Sequence, residues 1–106
     1  MPRRLEDEEI SRQLGDLPGW TGDAAALVRT IDAHDFPTAV RIVSDVAEVA
    51  EEMDHHPDID IRYRTLRFSL CTHSVGHAVT QLDVELAHRV ETILREHGAS
   101  TVPAGG

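Results

Sequence analysis

Lysine is absent. All ten basic residues of the 106-residue chain are arginine, which excludes Schiff-base chemistry and a Walker-type phosphate loop, since both need a lysine amine. Cysteine occurs once, at Cys71, so the chain cannot form an internal disulfide. No apolar run approaches the length needed to cross a bilayer, and the first residues, MPRRLEDEEI, lack the apolar h-region of a secretory signal. A reducing cytoplasm is therefore the expected compartment. Positive charge is scarce as well: the formal net charge is −9. Nucleic acids and anionic membrane surfaces are bound largely through clustered Lys and Arg, so neither is an expected partner.

What remains is ordinary for a globular domain, with 41% apolar and 27% charged residues. The length fits one domain, expected over residues 1–98, with ASTVPAGG at 99–106 as a disordered C-terminal tail. A chain this short buries a modest fraction of its surface, so self-association is expected.

Three helices are predicted. RLEDEEISRQL carries Ile10 and Leu14 four apart, with acids in the first turn where the helix dipole favours them; Gly15 and Pro18-Gly19 end it. A short strand is expected near Trp20. AALVRTID reads as a strand, but its alternation is imperfect and does not reveal the buried face. Asp35 suits an N-cap, with Pro37 in the first turn, and Phe36, Ala39, Val40, Val43, Val46, Ala47, Ala50 and Met53 form a predicted apolar stripe. Pro57 disfavours helical dihedrals at His56 and turns the chain there. The last helix opens with Thr80-Gln81-Leu82-Asp83, a capping-box pattern, buries Leu82, Leu86, Val90, Ile93 and Leu94, and stops at Gly98.

Between the second and third helices lie two runs of period two. Ile59, Ile61 and Tyr63 alternate with Asp60 and Arg62; Leu66, Phe68 and Leu70 alternate with Arg67, Ser69 and Cys71. A hairpin centred on Arg64-Thr65 pairs Tyr63 with Leu66, Ile61 with Phe68 and Ile59 with Leu70, all apolar on one face. It also sets Arg62 against Arg67, an unfavourable like-charge pair. Helices on one face of an antiparallel sheet make an α+β fold.

The same pairing carries His73 back beside His55 and His56. Imidazole titrates near neutrality, so two or three rings around a cavity could protonate a leaving hydroxyl and remove another proton, a dehydration or tautomerisation without a nucleophile. Coincidence is an open alternative, with His55 and His56 favoured by the helix C-terminal dipole. So is a metal site of the three histidines with Asp83 or His77, although adjacent histidines diverge and no HExxH or CxxC is present. Cys71 as a nucleophile is less expected than Cys71 as a buried structural residue. Asp83 can complete the Thr80 cap, orient an imidazole, or do both. Glu51, one turn before His55, is a solvated acid or a contact at the rim.

LPGW at 17–20 and E-x-x-x-HHPDIDIRYRTLRFSLCTH from Glu51 to His73, followed by Asp83 at the head of a helix, resemble the signature of the pterin-4a-carbinolamine dehydratase family over residues 10–95. The resemblance implies a four-stranded antiparallel sheet with three helices on one face, and saddle-like homodimers that can pair into homotetramers. It implies a small-molecule pterin substrate, 4a-hydroxytetrahydropterin, dehydrated to quinonoid dihydropterin in recycling of the pterin cofactor, with no metal and no organic cofactor. By position, His55, His56 and His73 become the catalytic imidazoles, while Glu51, Pro57, Thr72 and Asp83 line or support the substrate site. The chain departs from the family where a Gly-Gly pair is common: it has Gly76-His77, and Asp83 stands ten residues after His73. That departure motivates an alternative, a non-catalytic dehydratase-like binding or assembly module.

Overall fold

A computed structural model describes residues 2–102. In chain order it contains α1 (Asp7–Gly15), β1 (Thr21–Gly22), β2 (Leu27–Asp32), α2 (Phe36–Met53), β3 (Asp58–Arg62), β4 (Thr65–Leu70), a 3₁₀ turn (His73–Val75), α3 (Gln81–Glu96) and β5 (Ser100–Thr101). The sheet is antiparallel throughout, in the order β1-β2-β4-β3, with β5 also on β2. The α+β class is as expected, but the sheet has five strands rather than four. The two-residue strands β1 and β5 pair with opposite ends of β2, at Leu27–Val28 and at Ile31–Asp32. Residues 100–101, expected in a disordered tail, are thus a strand, and 103–106 lie outside the described residues. No described helix is long and apolar enough to cross a membrane.

One face of the central strands is fully buried: Leu27 and Ile31 of β2, and Leu66, Phe68 and Leu70 of β4. They join Ile10 of α1, Ala39, Ile42 and Val46 of α2, and Val84, Leu86, Ala87, Val90 and Leu94 of α3 in a single core. Arg29 occupies the same face, which is why β2 does not alternate cleanly in sequence. Its Nε donates to Glu91 Oε1 on α3 at 2.6 Å, Trp20 Nε1 donates to the same oxygen at 2.7 Å, and an Arg29 terminal nitrogen donates to Thr101 Oγ1 at 3.0 Å. The buried ion pair thus ties β2, β5, α3 and the loop at Trp20 together.

Asp35 caps α2, accepting from Thr38 N at 2.8 Å. The buried stripe of α2 differs from the predicted one. Ile42 is fully buried and Val49 half-buried, while Phe36 and Val40 are each 47% exposed. The helix is apolar over so wide an arc that sequence alone does not fix its rotation.

The hairpin register also requires correction. Ile59 faces Phe68, Ile61 faces Leu66 and Arg62 faces Thr65, so the turn is Tyr63-Arg64. This is a shift of two from the predicted pairing. An even shift keeps the apolar residues on one face, so alternation cannot distinguish the two registers. The observed one sets Asp60 against Arg67, an opposite-charge pair, in place of Arg62 against Arg67. The turn is held from outside the hairpin. Arg64 exchanges hydrogen bonds with Ala33, through Ala33 N to its carbonyl and through its side chain to Ala33 O, both at 2.8 Å, and Thr65 Oγ1 donates to Asp32 Oδ1 at 2.6 Å. Tyr63 takes the left-handed conformation (φ 54°) that this turn requires.

Candidate active site

The site forms where α2 ends, β4 ends and α3 begins. Helix α2 stops at Asp54, which adopts a left-handed φ of 48°, and its last turn releases His55 and His56 towards β3. Beyond Leu70 the chain leaves the sheet. Thr72 and Ala78 then pair through both backbone groups, at 2.8 and 3.3 Å, and close the 73–77 loop. A cleft of about 220 Å³ opens between these segments, lined by Asp54, His55, His56, Cys71, Thr72, His73, Ser74 and Leu82.

The three histidines therefore share one cleft despite the register correction. The shift sends β4 two residues further along β3 than predicted, and the turn after Leu70 brings His73 back. His55 is buried, whereas His56 and His73 are exposed.

Behind His55 lies a closed polar network. Asp83 is fully buried. Its Oδ1 takes the hydrogen bond from His55 Nε2 at 2.6 Å, and its Oδ2 accepts from Thr72 Oγ1 at 2.8 Å and from Thr80 N at 2.9 Å. Thr80 Oγ1 accepts from Leu82 N at 3.2 Å and lies 2.7 Å from Thr72 Oγ1. Asp83 thus caps α3 with one oxygen and holds an imidazole with the other, so the two sequence readings do not compete. A buried carboxylate that accepts from Nε2 fixes the ring's orientation and leaves Nδ1 as its remaining nitrogen. No buried side-chain polar atom among the described residues lacks a partner.

The other predicted residues lie further out. Glu51 is exposed and pairs with His56 Nε2 rather than with His55. Pro57 turns the chain but is not among the residues lining the cleft. Asp54, Cys71, Ser74 and Leu82 line it without having been singled out as substrate contacts. Asp54 was legible only as the residue after the α2 stripe, and Leu82 read as core. Burial, and after it the carboxylates of Asp83 and Asp58, push the Cys71 thiol up from its ordinary value. A thiol so disfavoured from ionising is a poor nucleophile at neutral pH.

A larger groove of about 540 Å³ runs between the N-terminal segment and the start of α3, lined by Pro2, Arg3, Leu5, Glu9, Gln81, Leu82 and Glu85. It contains no imidazole and no buried titratable group. Three imidazoles converge on the smaller cleft instead, with a buried carboxylate behind one of them.

Comparison with known proteins places the chain in a family. Residues 3–93 match the family model described as pterin 4 alpha carbinolamine dehydratase. A relative from Nocardia farcinica, named "Putative pterin-4-alpha-carbinolamine dehydratase", is 47% identical over 91 residues, covering 86% of this chain and 95% of its own. The crystal structure of a transcriptional coactivator/pterin dehydratase from Brucella melitensis superposes with a TM-score of 0.81 at 33% identity, over 86% of this chain and 98% of that one. A pterin dehydratase-like protein described as a RuBisCO assembly factor in the alpha-carboxysome shares the fold, with a TM-score of 0.57 at 17% identity over 70% of this chain and 84% of its own. On the extent of these matches, the chain belongs to the pterin 4 alpha carbinolamine dehydratase family.

Proposed function

We propose that the cleft dehydrates a 4a-hydroxytetrahydropterin to the quinonoid dihydropterin, by proton transfer between imidazoles and without a cofactor. The observation that carries this reading is the convergence of His55, His56 and His73 on one cleft, with His55 locked to the buried Asp83. An imidazolium protonates the 4a-hydroxyl, the C4a–O bond breaks and water leaves. The N5 lone pair forms the N5=C4a double bond, and a neutral imidazole takes the N5 proton. One ring ends deprotonated and the other protonated, and exchange with solvent restores both. No nucleophile is involved, which suits a cleft whose thiol is held protonated. Thr72 lines the pocket, Asp83 positions His55 and Glu51 holds His56 at the rim, while Pro57 acts only by turning the chain after His56. Cytoplasmic location and homodimeric or homotetrameric assembly belong to the same reading; sedimentation of the purified protein tests the assembly.

The test is turnover. Purified protein should accelerate dehydration of 4a-hydroxytetrahydropterin, and His55→Ala or His73→Ala should lower kcat/KM by roughly 100-fold or more, the scale of a lost general acid or base. Rates equal to the uncatalysed reaction for wild type and variants alike would refute the proposal. They would favour the second reading, a binding or assembly module on the same fold, for which the Gly76-His77 loop at the cleft is the motivating feature. A stoichiometric protein partner captured without turnover would support that reading.

A further inference from the structure

The 73–77 loop and the residues just before it bring His73 together with two groups that the proton-transfer reading leaves unused, Cys71 and His77. His73 and His77 stand at its two shoulders with ring centroids 4.7 Å apart and planes tilted by 47°. The Cys71 sulfur and one nitrogen from each of these rings all lie within 4.8 Å of one another. The loop is anchored at its base by the Thr72–Ala78 pairing and at its tip by Arg4 Nε, which donates to Val75 O at 2.8 Å. Gly76 and His77 both take left-handed conformations, with φ of 80° and 59°. That conformation is uncommon for residues other than glycine, though less so for Asn, Asp and His, and the His77 ring here packs beside that of His73.

The hydrogen bonding of three of the five other rings sharpens the contrast. His55, His56 and His97 each pair with a carboxylate, of Asp83, Glu51 and Asp45 respectively. The side-chain hydrogen bonds around the loop and cleft, among the described residues, pass by Cys71, His73 and His77. Three uncommitted donors, one thiol and two imidazoles, thus face a common point. Cys71 is half-buried and the two rings are exposed, so the point is open to solvent.

We infer that Cys71, His73 and His77 form a binding site for a zinc-class divalent ion, and that the bound ion withdraws His73 from the cleft. One thiolate and two imidazoles are a ligand set for a borderline-soft ion, not for calcium or magnesium, which take oxygen. Zinc sites of this kind place the sulfur about 2.3 Å and the nitrogens about 2.0 Å from the ion, so sulfur and nitrogen end about 3.5 Å apart. Side-chain rotation covers the difference from the observed spacing. The thiol proton leaves as the ion binds, and water takes the fourth position. A ligated His73 nitrogen is unavailable for proton transfer, so the ion acts as an off-switch. The site itself is independent of the dehydratase reading; the off-switch rests on it.

The experiment uses full-length protein without a histidine tag, stripped with chelator. Co²⁺ should bind at one ion per chain and give a thiolate-to-cobalt absorption with the intense visible bands of a tetrahedral site. Zn²⁺ should displace it. His77→Ala and Cys71→Ser should each weaken Zn²⁺ binding by roughly tenfold or more, with His88→Ala as an unchanged control. Zn²⁺ should inhibit dehydration by wild type but not by His77→Ala. A cobalt spectrum without the thiolate band, or Zn²⁺ affinity unchanged in both variants, overturns the site. Intact binding without inhibition of an active enzyme overturns the withdrawal of His73. A metal-free protein with no turnover instead removes the dehydratase proposal and the off-switch with it, while the cobalt spectrum still decides the site.

Discussion

At Asp83 one side chain serves the fold and the site together. Its two oxygens divide between the α3 cap and His55, so a substitution cannot remove one role without disturbing the other. Asp83→Asn is the informative change. The amide has one acceptor oxygen in place of two, so its NH₂ must face either the His55 nitrogen or the donors at Thr72 and Thr80. A buried donor left facing a donor costs about 2 kcal/mol, measurable by denaturant unfolding. Because Asp83 is buried beneath His55, kcat should fall at least about tenfold, as for other partners that orient a functional imidazole, while KM stays close to wild type. A KM effect without a kcat effect would mean that Asp83 meets substrate directly. At the same scale, Arg29 and Glu91 form an ion pair in the core. Glu91→Ala leaves a buried guanidinium without its carboxylate and should destabilise by about 3–5 kcal/mol; replacing both residues with apolar ones should cost less than that single change. Equal losses in the single and double variants would show that the pair itself, rather than the orphaned charge, carries the energy.

Among the elements, α2 positions the site because its end releases His55 and His56, and its start depends on Asp35. Hydrogen bonding from the Thr38 side chain, and after it from the Thr38 backbone, holds the Asp35 carboxyl below its ordinary value. A lowered value means that the folded state favours the ionised form. The contribution is therefore complete above the ordinary carboxylate range and is lost as pH falls through the lowered value. Asp35→Ala should lower Tm at neutral pH, and the wild-type and variant melting curves should converge in acid. A gap that persists at low pH would mean that the cap does not depend on charge. The hairpin shows how far an element can be read locally. The alternation of Ile59 and Ile61 against Leu66, Phe68 and Leu70 fixes the apolar face, but registers two residues apart share that face. Bonds from Arg64 and Thr65 to Ala33 and Asp32 select the observed one, and those partners lie some thirty residues away in sequence.

Across the whole molecule, stability concentrates in the two central strands. Leu27, Ile31, Leu66, Phe68 and Leu70 are fully buried, while β1 and β5 are exposed two-residue strands at the margin. Native-state hydrogen exchange should be slowest in β2 and β4 and much faster in β1 and β5, since amides near the surface open locally without global unfolding. Uniform exchange across the sheet would mean that the marginal strands unfold only with the core. The cleft lies beyond the C-terminal end of β4, so its histidines sit on segments braced by the core without interrupting it.

The sequence by itself determined the three helices, the N-caps of α2 and α3 at Asp35 and Thr80, the apolar faces of the hairpin strands and the density of histidine near the corner at Pro57, because periodicity, capping and proline geometry act within a few residues. Only the tertiary structure decided the hairpin register, the rotation of α2, the burial of Arg29 beside Glu91, the division of Asp83 between two tasks and the meeting of Cys71 with His73 and His77. Each of these depends on which distant groups the closed chain brings within hydrogen-bonding or ligand distance, and local preference leaves such choices nearly equal until packing separates them.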